Sequence, residues 1–161
     1  VDTLAMSYQY QTPGYAKAPT ALCEAAEKYI IEKKPELLAI CFEEPDHTGH
    51  TKGHDTPAYY QMLKELDGYV ERILQAIKKA GIWDDTIIIM TADHGGIKTG
   101  HGGKTLREME IPFIISGKNV RKGMEIKESM MQYDVASTIA YIFGLKQPQV
   151  WIGRPMKQVF K

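Results

Sequence analysis

All of the imidazole in this chain lies in two short stretches. "PDHTGHTKGH", residues 45–54, carries His47, His50 and His54, and "DHGGIKTGH", residues 93–101, carries His94 and His101, which accounts for all five histidines of the 161 residues. Asp46 and His50 are four residues apart, so on one helical turn both side chains project from the same face. A carboxylate oxygen and an imidazole nitrogen make a good pair of ligands for a divalent ion, with bonds of about 2.0–2.2 Å to zinc. One further imidazole completes a three-ligand site with an open position, and His101 is the best candidate. Asp93 and His94 are chain neighbours on a turn and can begin a second site beside the first. Two ions about 3.5–4 Å apart would grip both the attacking and the leaving oxygen of a hydrolytic reaction.

Each stretch alone carries little weight. An isolated D-x-x-x-H is usually a capped, solvated turn, and Asp-His-Gly or His-Gly-Gly is usually a loop with a satisfied histidine. The specificity lies in finding all three in this order. The five glycines of "TADHGGIKTGHGGKT" let the backbone bend closely, as a loop must if it is to turn several ligands inward. Of the other histidines, His47 points away from Asp46 and His50, and His54 reads as exposed. Lys98 and Lys104 are candidates for holding a phosphate oxygen as point charges, though solvated loop lysines are the commoner case. Glu108 and Glu110 read as hydrogen-bonded structural acids, and Tyr59, Tyr60 and Trp151 as packing aromatics.

The elements that must position these residues follow an α/β order. Residues 1–20, with Pro13, Gly14 and Pro19, form an irregular arm. A helix follows through "ALCEAAEKYIIEKK", stopped by Pro35. "ELLAICFEE" reads as a strand buried on both faces, with Cys41 a small buried hydrophobe. The long amphipathic helix from Pro57 is capped by Asp55 or Thr56 and ended by Gly81. It lines up Met62, Leu63, Leu66, Val70, Ile73, Leu74 and Ile77 on one core-facing stripe. "DDTIIIMTA" and "IPFIISG" are further strands, "QYDVASTIAYIFGL" a last helix, and "QPQVWIGRPMKQVF" an irregular tail. The expected class is α/β with a mostly parallel sheet flanked by helices, and both histidine clusters lie where such sheets gather their sites, beyond the carboxyl ends of strands.

Composition narrows the function. Lys+Arg and Asp+Glu are 20 each, so the formal net charge is zero, which argues against a nucleic-acid binder. No apolar run approaches the roughly 20 residues of a membrane span. The two cysteines, Cys23 and Cys41, do not amount to a disulfide framework.

"PDHTGH", then "MTADHGG", then "GHGGKTLREMEIPFIISG" together resemble the C-terminal half of the alkaline phosphatase superfamily. The nearest branches are the type I phosphodiesterase/nucleotide pyrophosphatases and related bacterial phosphatases. The likeness runs from about Pro35 to the end, through "QYDVASTIAYIFGL" and "WIGRPM", about three-quarters of the chain. It implies one metal site from Asp46, His50 and His101 and a second to which Asp93 and His94 contribute. The ions would be zinc, with manganese or magnesium as alternatives. It also implies a Ser or Thr nucleophile and a further aspartate in an N-terminal half, expected upstream of Val1. Residues 1–161 then form the C-terminal part of an alkaline phosphatase-like domain, and the missing half is the partner they need.

The implied activity is metal-dependent hydrolysis of small phosphate esters, in a periplasmic or extracellular setting. Its rivals are a sulfatase or a manganese-dependent phosphoglycerate mutase of the same superfamily, or a non-catalytic metal-binding domain.

Overall fold

Helix α1, Ala18–Lys33, carries Pro19 in its first turn, where a missing N–H costs nothing. It closes on Lys34, whose φ of 46° is left-handed, with Pro35 behind it. The computed structural model describes residues 18–161. The arm predicted over residues 1–20 therefore lies outside the described residues up to residue 17, and residues 18–20 belong to α1. The chain divides into two compact units. One runs up to Asp84 and includes His94–Ile111; the other comprises Asp85–Asp93 and Pro112–Lys161.

In the first unit α1 packs on α3, Pro57–Lys79, and α3 also packs on α2, Glu44–Lys52. Cys23, Ala26 and Ile30 of α1 and Met62, Ala76 and Ile77 of α3 are buried. The predicted stripe holds except at Leu63, which stays 37% exposed. Thr56 caps α3 as expected: its hydroxyl oxygen accepts from Tyr59 N at 3.2 Å while its proton goes to Gly53 O at 2.9 Å. Arg72 of α3 makes a two-pronged bond to Glu27 of α1, Nε to Oε1 at 2.9 Å and a terminal nitrogen to Oε2 at 2.7 Å.

Residues 36–43 do not form the expected buried strand. They run without a ladder partner between α1 and α2, and burial alternates, with Leu38, Ile40 and Phe42 more covered than Leu37, Ala39 and Cys41. Period-two alternation is what an extended segment covered on one face produces. Cys41 is thus exposed rather than buried, and no disulfide joins it to Cys23.

The second unit holds β1, Ile87–Thr91, and β2, Phe113–Gly117. They pair with each other, Ile87 opposite Gly117 and Thr91 opposite Phe113. The pairing is antiparallel. The class is α/β, but the mostly parallel sheet expected from strand order is not what the described residues form. A parallel ladder needs a strand–crossover–strand unit. Here the segment expected to supply the first strand makes no ladder, and β2 re-enters directly opposite the end of β1.

Helix α5, Asp134–Ile142, anchors the C-terminal tail of this unit. Asp134 has no exposed surface, and each carboxylate oxygen accepts from backbone, Oδ2 from Met131 N at 2.9 Å and Oδ1 from Arg154 N at 2.7 Å, with the Arg154 guanidinium 3.9 Å from Oδ2. Thr138, equally buried, donates to Asp134 O at 2.7 Å and accepts from Met156 N at 3.0 Å. The motifs "QYDVAST" and "GRPM" therefore interlock through two buried side chains. No helix among the described residues is long and apolar enough to cross a membrane.

Two stability predictions follow from these contacts. Asp134→Ala strands two backbone donors and should destabilise the chain by about 2–5 kcal/mol in urea unfolding. Asp134→Asn should rescue little, because an amide places a donor against one of the two N–H groups. Near-wild-type stability of either variant would contradict the interlock. Glu27 titrates lower than usual because Arg72 hydrogen-bonds its ionised form. Its contribution is therefore present above the ordinary value of 4.5 and is lost as pH falls through the lowered native value. Urea midpoints of wild type and Glu27→Gln should differ at pH 7 and converge in acid; a gap independent of pH would refute the linkage.

Candidate metal centre

Asp46 and His50 lie on α2, one helical turn apart, as the four-residue spacing predicts. Pro45 fits the first turn and Gly53, with φ of 89°, ends the helix. The second ligand-bearing segment folds back on itself. Ile97 and Gly100 bond to each other in both directions, at 2.9 and 3.0 Å, closing a tight turn over Lys98 and Thr99. Lys98 takes a left-handed φ of 52° at the tip.

The rest of the loop is fixed by its own hydrogen bonds. Gly95 N donates to Glu108 O at 2.9 Å, so close to the chain at Arg107 and Glu110 that a Cβ on Gly95 would strike backbone. Glu108 accepts from Gly103 N at 2.9 Å and from the Thr105 hydroxyl at 2.5 Å, capping the short helix α4, Leu106–Met109. These bonds to its ionised form lower the Glu108 carboxyl. Glu108 is the structural acid that the sequence suggested.

The fold brings Asp46, His50 and His101 together, one potential ligand atom from each lying within 4.8 Å of the others. Asp46 Oδ1 is 3.3 Å from His50 Nε2 and 3.4 Å from His101 Nε2. His94 Nε2 reaches the same oxygen at 3.9 Å, and its ring stacks on that of His101 with centroids 3.7 Å apart. His94 thus faces the first cluster, whereas Asp93 falls in the second unit, the boundary running between these chain neighbours. Asp93 is exposed, and its carbonyl accepts from Gln132 Nε2 at 3.0 Å.

The hydrogen-bond roles at the cluster are constrained. A carbonyl oxygen only accepts, so the ring nitrogen facing it must carry the proton. His50 Nδ1 lies 2.9 Å from Thr99 O and His94 Nδ1 lies 2.8 Å from Gly95 O. In the neutral rings both Nε2 atoms are then bare lone pairs aimed at Asp46 Oδ1. That oxygen is sealed from solvent without a hydrogen-bond partner, although the Asp46 side chain as a whole is 44% exposed. This donor set, one carboxylate oxygen with imidazoles, suits a borderline divalent ion. The residues present fit such an ion.

Burial raises the titration of neighbouring Glu44 and, together with the charge of Asp46, that of Tyr59. Lys98 and Lys104 are exposed, as are Tyr60 and, at 42%, Trp151. His54, expected to be exposed, is half-buried: its Nδ1 lies 3.1 Å from Lys98 O and its ring 5.3 Å from that of Tyr59.

Known proteins resemble this chain in sequence, and a solved structure resembles it in fold. The human GPI ethanolamine phosphate transferase 2, catalytic subunit, is 30% identical over 159 residues, covering 89% of this chain and 16% of that protein. A phosphopentomutase of Herpetosiphon aurantiacus is 38% identical over 129 residues, covering 80% of this chain and 31% of its own length. The chain thus spans about a sixth to a third of these curated relatives. A crystal structure of a candidate sulfatase from Bacteroides thetaiotaomicron superposes with a TM-score of 0.68 at 14% identity, over 97% of this chain and 48% of that one. The family model for type I phosphodiesterase / nucleotide pyrophosphatase matches residues 3–130, and with it the chain belongs to that family, within the alkaline phosphatase superfamily of enzymes.

Proposed function

We propose that this chain supplies the metal-holding part of a hydrolase of phosphate esters, with Asp46, His50 and His101 as the ligands of one divalent ion. The observation that carries the reading is Asp46 Oδ1, sealed and unpartnered between the Nε2 atoms of His50 and His101 at 3.3 and 3.4 Å. Zinc suits this nitrogen-rich set best, with manganese and magnesium as alternatives. When bound there, the ion supplies Lewis acidity, polarising a phosphoryl oxygen and easing deprotonation of an attacking hydroxyl or water.

The chain's own groups do the rest. Thr99 O fixes the His50 ring so that Nε2 stays inward, the outer support that metal-bound histidines need. Asp93 and His94 are proposed as the start of a second and weaker site, because two protein ligands fall short of the usual three at catalytic zinc. The nucleophilic Ser or Thr is proposed to belong to a part of the protein upstream of Val1, as the family pattern implies.

A second reading is favoured by the phosphopentomutase likeness: transfer of a phosphoryl group within one sugar phosphate rather than to water. Both readings need the same metal site. With the longer protein and a pentose phosphate, return of the positional isomer without free phosphate favours transfer, and release of phosphate favours hydrolysis.

Calorimetric titration of this chain with zinc should show one tight site. His50→Ala and His101→Ala should each weaken it at least as much as loss of an outer partner does, roughly 10–100-fold. Equal affinity in wild type and both variants would refute the ligand set. Two equally tight ions per chain would refute the ranking of the sites.

A further inference from the structure

We infer that His54 is a positioning residue of the metal centre, a clasp that holds the two ligand-bearing segments in register; the inference rests on the metal-site reading above. The geometry is specific. Both the backbone N–H of His54, at 2.6 Å, and its ring Nδ1, at 3.1 Å, meet the same carbonyl, Lys98 O. A carbonyl has two lone pairs and only accepts, so Nδ1 carries the proton and Lys98 O is saturated by one residue. The next carbonyl, Thr99 O, receives His50 Nδ1. Two consecutive carbonyls at the tip of one turn are thus held by two histidines four residues apart, only one of which faces Asp46.

The His54 ring itself fills the gap between the segments. A Cβ placed on Gly49 would fall on the His54 ring, and so would a Cβ placed on Gly96. Gly49 sits between Asp46 and His50 in the chain, and Gly96 between His94 and His101. Neither glycine is needed for its φ, since neither takes a positive value. Both are bare because an imidazole edge occupies the place of their side chains. Gly49 is itself buried, so the ring is enclosed on that side. Tyr59, from the first turn of α3, backs the ring at 5.3 Å between centroids. His54 therefore sets the spacing between α2 and the turn, and with it the distance at which His50 and His101 meet Asp46.

The test titrates zinc, and cobalt followed by its visible absorption, into wild type and variants of this chain. His54→Ala should weaken zinc by roughly 10–100-fold, the usual consequence of losing an outer support, and should alter the cobalt spectrum. His54→Asn, which keeps an N–H donor at the position of Nδ1, should return affinity toward wild type. In the His54→Ala background the added change Gly49→Ala should cost nothing further, whereas alone it should weaken binding. Wild-type affinity and spectrum in His54→Ala would overturn the inference, as would Asn behaving like Ala.

If His54→Ala does not fold, Gly49→Ala carries the test, since it leaves every hydrogen-bonding group in place and only crowds the ring. Unchanged zinc affinity would then overturn the inference. If wild type binds no zinc, the metal-site reading fails. Amide exchange of Ile97–Gly100 then decides the clasp separately: faster exchange in the variants sustains it, and unchanged exchange overturns it.

Discussion

The carbonyls of Lys98 and Thr99 are the constraint on which the candidate centre depends. The turn closed by Ile97 and Gly100 uses neither tip carbonyl in its own two hydrogen bonds. Each is taken by an imidazole Nδ1, from His54 and from His50. A loop with five glycines would otherwise sample many shapes, at a cost in conformational entropy on ordering. Here it is fixed by bonds to His50 of α2 and to His54 just beyond that helix, by Gly95 N on Glu108 O, and by the Glu108 capping of α4. Glycine content and order are not in conflict: the glycines permit close approach, and the bonds made at that approach remove the freedom.

The same economy appears in how residues at the centre are oriented. Backbone carbonyls meet Nδ1 of His50 and of His94. A carbonyl cannot change its protonation, so these rings are held in one orientation whatever the pH does to neighbouring acids. Asp46 Oδ1 faces all three Nε2 atoms, at 3.3, 3.4 and 3.9 Å.

That Asp46 and His50 would stand together could be read from the sequence because it depends on residue type and short spacing. Asp46 and His50 at one helical turn need only a helix to share a face, and they share one. His101 was the expected third member from the need for one more imidazole and from the family pattern, and the fold brings the three together. What could not be read depends on non-local contact. His54 looked like an exposed loop histidine because its partners, Gly96 and Lys98, are more than forty residues away. The only local hint was glycine where a helix would favour alanine, at Gly49 inside α2.

The sheet failed for a related reason. Apolar runs announce strands but not their partners, and "ELLAICFEE" could not announce that it would lie without a ladder or that Cys41 would face outward. Asp134 gave no signal at all, since a buried carboxylate satisfied by Met131 N and Arg154 N looks in sequence like any helix-starting acid.

Protons alone are a poor answer to the convergence on Asp46. If His50, His94 and His101 were all imidazolium, three positive charges would crowd one negative one. The rings of His94 and His101 would stack as like charges with centroids 3.7 Å apart. At about 4 Å such a pair repels by about 4 kcal/mol at an effective dielectric of about 20. If all three were neutral, lone pairs on Nε2 of His50 and His94 would face the lone pairs of Oδ1 with nothing between them. One proton satisfies one contact and leaves the others frustrated. A single divalent ion between Oδ1 and the Nε2 atoms of His50 and His101, the site proposed above, would turn those contacts attractive at once, where protonation relieves them only in part.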